Sequence, residues 1–176
     1  MYRLRELSQK DIEQINMWRN DPALIACLGA PFRYINQDVD KRWYDQYMNA
    51  RGSAVRCAVV DDTDTIIGLV SLMSIDSVHR SANLHIMIGG AENRGKGIGT
   101  FAVRAIVEHG FFDLNLNRIE LGVLTDNIPA RRLYENIGFR QEGVKRQSVY
   151  KQGEYQDQIM MGLLRDEYVR KSGEVK

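Results

Sequence analysis

The stretch "GGAENRGKGIGT", residues 89–100, packs five glycines, an arginine and a lysine into twelve positions. It follows "SANLHIMIG", residues 81–89, a β-rich run that reads as a strand. After it, Ile98, Phe101, Ala102, Ala105 and Ile106 fall at i, i+3, i+4, i+7 and i+8, one face of a helix. A glycine-rich turn with basic residues, placed between a strand and a helix, aims free backbone N–H groups at a phosphate. The question is which phosphate.

Counted from Gly90, the stretch gives Gly90-x-x-x-x-Gly95-Lys96, the first seven positions of a nucleoside-triphosphate loop. The eighth position must be Ser or Thr, whose hydroxyl reaches Mg²⁺, and here it is Gly97. Counted from Gly95, the spacing is G-x-G-x-G, where a dinucleotide turn needs G-x-G-x-x-G. Glu120 lies about 20 residues on, as such a site requires, but inside its strand instead of at its end. A third frame starts at Arg94. Arg94-Gly95-Lys96-Gly97-Ile98-Gly99 fits [Q/R]-x-x-G-x-[G/A], a tight turn into a helix whose positive end takes a pyrophosphate.

Downstream, "NIPARRLYENIGF" at 127–139 opens on Asn127, a helix cap, with Pro129 in the first turn and Gly138 placed to end the helix. Together the two motifs resemble the GNAT superfamily of N-acetyltransferases. Asn127, Ala130, Leu133, Tyr134, Glu135, Gly138 and Phe139 all match that family's second signature, N-x-x-A-x-x-L-Y-E-x-x-G-F. The similarity covers nearly the whole chain and is weakest over residues 20–50. "VHRSANLHIMIGGAENRGKGIG" and "GEYQDQIMMGLL" look most like the branch acting on ribosomal-protein N-termini and polyamines. "WRNDP" at 18–22 and Trp43 resemble an adjoining group that includes amino-sugar-nucleotide N-acetyltransferases.

The rest of the chain reads as one α/β domain over 1–176, with no repeat, low-complexity run or linker. Residues 2–6 alternate as a strand, and Ser8 with Asp11 makes a capping-box-like start for a helix to about Arg19. "NDPALIACLGAPFRY" reads as a loop with a short helical piece. Asn36 caps a helix over 37–50, with Val39, Trp43, Tyr47 and Met48 as its apolar stripe. "VRCAVVD" and "TIIGLVSLMSI" form a hairpin about "DDTD", "NRIELGVL" is a strand, and residues 139–164 are two long antiparallel strands. The resemblance implies the GNAT fold: a central mixed, mostly antiparallel twisted sheet of about seven strands flanked by helices.

Composition sets the outer limits. At 44% hydrophobic, 27% charged and net charge +1, the chain gives no electrostatic reason to expect nucleic acid or membrane as partner. Cys27 and Cys57 are 30 positions apart and read as reduced, buried thiols, and the three histidines show no metal-ligand spacing with them. The charged N-terminus and the lack of any apolar run near 18 residues point to a cytoplasmic protein.

The resemblance also implies a cosubstrate, an acceptor and a set of site residues. Acetyl-CoA is the cosubstrate, and a small-molecule amine or a peptide N-terminus the acceptor, with direct transfer between them; a homo-oligomer is the family expectation. Met87, Ile88 and Gly89 match the strand whose backbone pairs with pantetheine. Arg94 through Thr100 (Arg94, Gly95, Lys96, Gly97, Ile98, Gly99, Thr100) match the pyrophosphate loop, with Asn127, Ala130 and Arg131 along the cosubstrate's arm. Tyr134 matches the acid that protonates the departing thiolate. The base stays open: relatives often carry Glu where Asn83 stands, which leaves Glu120, His85 or relayed water. Trp18, Asn20, Trp43 and Tyr47 are the acceptor-side candidates, and Asp38, Asp40 and Asp45 lie amid Lys41 and Arg42 without forming a clear acidic wall. A non-catalytic acetyl-CoA-binding module on the same fold is the alternative, and no metal is expected.

Overall fold

A computed structural model describes residues 1–173. Its elements are β1 (Arg3–Glu6), α1 (Ile12–Arg19), α2 (Pro22–Ala26), α3 (Gln37–Asn49), β2 (Val55–Val60), β3 (Ile66–Asp76) and β4 (Ser81–Ile88). They continue through α4 (Ile98–Glu108), β5 (Arg118–Leu124), α5 (Ile128–Ile137), β6 (Arg140–Lys151), β7 (Glu154–Leu164) and α6 (Arg165–Gly173). The seven strands form one sheet in the order β1-β2-β3-β4-β5-β7-β6. Every neighbouring pair is antiparallel except β4 and β5. None of the described helices is long and apolar enough to cross a membrane.

Alternation along the strands gives each face of the sheet its own core. On one face Val70, Leu72, Leu84, Ile119, Leu121, Ile159 and Met161 pack under α4 and α5, with Ile98, Val103, Ile106 and Ile137 supplied by the helices. The other face carries Ala58, Val60 and Met87, covered by Ile15, Trp18, Leu24 and Tyr47 from α1, α2 and α3. Burying a side chain of this kind is worth about 1.5–3 kcal/mol, so these two interiors fix where each helix sits.

The stripe on α3 is rotated from its expected register. Val39 and Met48 face solvent, while Asp40 is completely buried beside Trp43 and Tyr47. Its carboxylate accepts from Asn16 Nδ2 at 2.6 Å and is ion-paired with Arg19. A polar residue thus occupies the inward position because α1 supplies its partners. Helix α6 lies beyond the last element that the sequence pattern marks; its low apolar content hides it, and it is held by buried Tyr168, whose hydroxyl donates to Glu108 at 2.9 Å. Cys57 is half-buried and Cys27 is exposed, so only the first approaches the buried thiol expected; burial pushes Cys57 up to about 11.

Helix α1 is seated on the end of β4 through one close contact. The Trp18 indole lies where a Cβ on Gly89 would be, so only glycine lets it down onto the backbone. Gly89→Ala is expected to cost about 1–3 kcal/mol by overpacking, read as a lower Tm. Gly52→Ala, whose new methyl meets nothing within 4 Å, should leave Tm unchanged.

Candidate active site

The strands β4 and β5 run together for only three residue pairs, Ser81–Asn83 against Arg118–Glu120. Beyond Asn83 and Glu120 they part, and each keeps only its outer neighbour, β3 or β7. The Gly89 N–H donates to Ile67 O at 3.0 Å. Alternation in an antiparallel pair then sends the backbone of Met87 and His85 toward β3 as well, and turns that of Ile86 and Ile88 into the split. A cavity of about 820 Å³ fills the split and reaches both faces of the sheet. Leu121, Val123, Ala130 and Tyr134 line it on the α4/α5 side, and Trp43, Arg56, Ser71, His85 and Met160 on the other.

At the mouth of α4, Gly95 and Gly97 adopt φ of 73° and 76°, a region glycine enters without steric cost. A Cβ on either would meet nothing within 4 Å, which leaves a bare, concave backbone. Gly97 is the N-cap, and Phe101 N–H to Gly97 O (3.0 Å) is the first helical bond. The amides of Ile98, Gly99 and Thr100 are therefore free of intrahelical acceptors. The Arg94 and Lys96 side chains have no hydrogen-bond or ion-pair partner among the described residues. This cradle fits a pyrophosphate. Gly99 serves packing: a Cβ there would lie 2.9 Å from Leu133 Cδ1, so its absence lets α4 and α5 approach.

Along α5, Asn127 Oδ1 caps the helix by accepting from Ala130 N–H (3.2 Å), and its Nδ2 donates to Cys27 O (2.9 Å). Arg131 Nη1 donates to Thr125 O at 3.1 Å. Tyr134 is 7% exposed and lines the cavity, edge-on to Phe139 at 5.8 Å. Burial alone pushes its phenol up to about 12, so it stays protonated at neutral pH.

The acceptor-side candidates separate. Trp43 lines the cavity, with the Arg56 guanidinium 4.6 Å from its ring centroid. Trp18 is spent on Gly89. Asn20 holds the chain before α3, donating to Ile35 O at 2.7 Å and accepting from Ile35 N–H at 3.0 Å. Tyr47 is buried beneath, its hydroxyl donating to Glu6 Oε1 at 3.0 Å. None of these three reaches the cavity lining. Of the two base candidates, His85 lines the cavity; surrounding protein, and then Arg56, lowers its pKa. Glu120 lies at the closed end of the split, outside the lining. Its carboxylate is held by Arg118 Nη2 at 2.9 Å, and Arg118 also donates to Glu142 at 2.7 Å.

The family model for the acetyltransferase (GNAT) domain matches residues 2–140. The chain belongs to the GNAT acetyltransferase family. It is similar to the spermidine N(1)-acetyltransferase of Vibrio cholerae, 32% identical over 96% of both chains. It also resembles the putative ribosomal N-acetyltransferase YdaF of Bacillus subtilis, 32% identical over 72% of this chain and 67% of that one. The crystal structure of the Vibrio cholerae enzyme with CoA and spermine superposes with a TM-score of 0.89, at 30% identity, covering 96% of this chain and 98% of that one. The protein is accordingly an acetyl-CoA-dependent N-acetyltransferase on the GNAT fold.

Two features of this GNAT site escape the sequence motifs. Ile86, which no motif marks, turns its backbone into the split; counting the pairing register back from Gly89 is the only way to find it. Lys151, at the end of β6, is 5% exposed and reaches across to α2 and the loop after it, where Nζ donates to Ile25 O (2.6 Å) and to Ala30 O. That loop also lines the cavity through Cys27, Leu28 and Gly29. Lys151→Met should leave Ala30 O without its donor, Ile25 O still accepting from Leu28 N–H, and cost about 1–3 kcal/mol, measured by denaturant unfolding. It should also raise the KM for the acceptor more than that for acetyl-CoA.

Proposed function

We propose that acetyl-CoA enters the split from the α4/α5 side and that the acceptor amine reaches it from the side of α1 and α3. The observation that carries this reading is the cavity that crosses the sheet where β4 and β5 part. On the first side, the Gly95–Gly97 backbone and the free amides of Ile98 and Thr100 hold the pyrophosphate, with Arg94 and Lys96 adding charge. The backbone of Ile86 and Ile88 pairs with the pantetheine arm as an added strand would. An N–H there also stabilises the oxyanion as the carbonyl is attacked.

When bound, acetyl-CoA supplies the activated acyl group, and the protein handles protons. His85, depressed toward its neutral form, takes the proton from the incoming ammonium, directly or through water. Tyr134 keeps its proton until the C–S bond breaks and gives it to the sulfur, and the second proton shed by the acetylated nitrogen restores the phenol through water. Glu120 is the weaker base candidate, because Arg118 already holds its carboxylate and it stands off the cavity. Dependence on acetyl-CoA and two unpaired cysteines support a cytoplasmic setting, and the one continuous sheet supports a single domain.

The reading is tested by release of CoA thiol with acetyl-CoA and an amine panel. Tyr134→Phe should lower kcat by about a hundredfold or more while acetyl-CoA binding by calorimetry stays unchanged; an unaltered kcat removes Tyr134 from the chemistry. For pH, the sign follows from His85. Its pKa lies below 6.5, so kcat/KM should rise through an inflection below that value and be flat at neutral pH. His85→Gln should abolish that acid limb, and a limb that persists transfers the role to another group.

A further inference from the structure

The acceptor half of the cavity has a charge that the relatives' names do not foretell. None of the residues lining it is Asp or Glu, whereas Arg19, Arg56, Lys145 and His85 all contribute to it. The acidic residues of α3 do not alter this. Asp40 is fully buried behind the wall and already bound to Arg19, while Asp38 and Asp45 are exposed elsewhere.

Arg56 stands apart from the other cations. It is half-buried, its Nε is buried with no hydrogen-bond partner, and no carboxylate is within ion-pair distance of its guanidinium among the described residues. Two aromatic rings flank it, Trp43 at 4.6 Å and Tyr47 at 5.7 Å. Those faces hold the cation in place but do not satisfy its N–H donors. Desolvation accordingly lowers its pKa, and nearby Arg19 acts in the same direction. An arginine kept in this state is a fork of unspent donors suited to carboxylate or phosphate.

Its position separates it from the cosubstrate. Arg56, Ser71 and His85 are register partners on β2, β3 and β4, so their side chains stand in one row on the face away from α4. Adjacent strands are about 4.8 Å apart, which puts Arg56 two strands from His85 and on the opposite side of the sheet from the pyrophosphate cradle. A molecule stretched along this row would place one end at His85, beside the split, and the other at the guanidinium. Buried Ser71 lies midway with a hydroxyl facing the same space.

We propose that the acceptor is a compact primary amine carrying its own anionic group, a carboxylate or a phosphate, which Arg56 grips while the amine lies beside His85. This rests on the reading that the acceptor enters on the α1/α3 side. The same wall disfavours a polyamine, since a chain with several ammonium groups would meet Arg56 and Lys145 with no carboxylate among the lining residues.

The test holds the amine constant and varies the far end. Initial rates of CoA thiol release are compared for a dipeptide against its C-terminal amide, for glucosamine 6-phosphate against glucosamine, and for spermidine. At least one anionic member should exceed its neutral counterpart tenfold or more in kcat/KM, and which pair does so tells carboxylate from phosphate. Arg56→Gln should erase that preference by raising KM for the anionic member, with circular dichroism unchanged; Arg56→Lys should restore part of it. Preference for spermidine or for the neutral members, or a preference that survives Arg56→Gln, overturns the proposal while leaving the transferase reading intact. Silence with every amine, despite acetyl-CoA binding, overturns both.

Discussion

The structure turns on the short parallel ladder between β4 and β5. Three residue pairs join the two halves of the sheet, and past them each strand is committed on its far side only. A sheet normally satisfies every backbone N–H and C=O of its inner strands. Here those of Ile86 and Ile88, past the last pair, are left without a strand partner. The deficit is tolerable only because a cavity opens there and a ligand backbone can complete the pairing. Fold and site are thus one feature: the discontinuity that weakens the sheet is the place where the cavity opens.

The elements around the split brace it from both faces. Packing between α4 and α5, close enough to require Gly99 against Leu133, sets the cradle and Tyr134 in fixed relation. On the other side Trp18 is pressed onto Gly89, and Asp40 ties α3 to α1 through Asn16 and Arg19. The cavity wall is therefore built from side chains whose neighbours are already fixed, as a site needs if it is to hold its geometry without a ligand.

Much of this could be read in the sequence, for identifiable reasons. The glycine loop and the α5 motif are legible because they depend on local spacing: positive φ at Gly95 and Gly97, a cap at Asn127, an end at Gly138. Strands with clear alternation were legible too. What failed to show is set by tertiary partners. Asp40 reads as a surface acid until Asn16 and Arg19 are seen waiting for it. Trp18, Asn20 and Tyr47 carry the residue types of a binding wall, yet each is consumed by packing or by a hydrogen bond to the chain. Cys27 reads as a buried thiol and is exposed. Arg56 sits in a run that looks like plain strand, and only its row across three strands gives it meaning. The backbone of Ile86 carries no residue-type signal at all.

The cavity's reach through both faces of the sheet also governs traffic. Two ligands that approach from opposite sides need not wait for one another, and either product can depart without the other having cleared its path. No side chain has to carry the acyl group between visits, and the thiol of Cys57, raised and half-buried, is poorly suited to do so. Saturation kinetics in a chain built this way should intersect, as for two substrates held at once, and each product should inhibit most strongly against the ligand that shares its doorway.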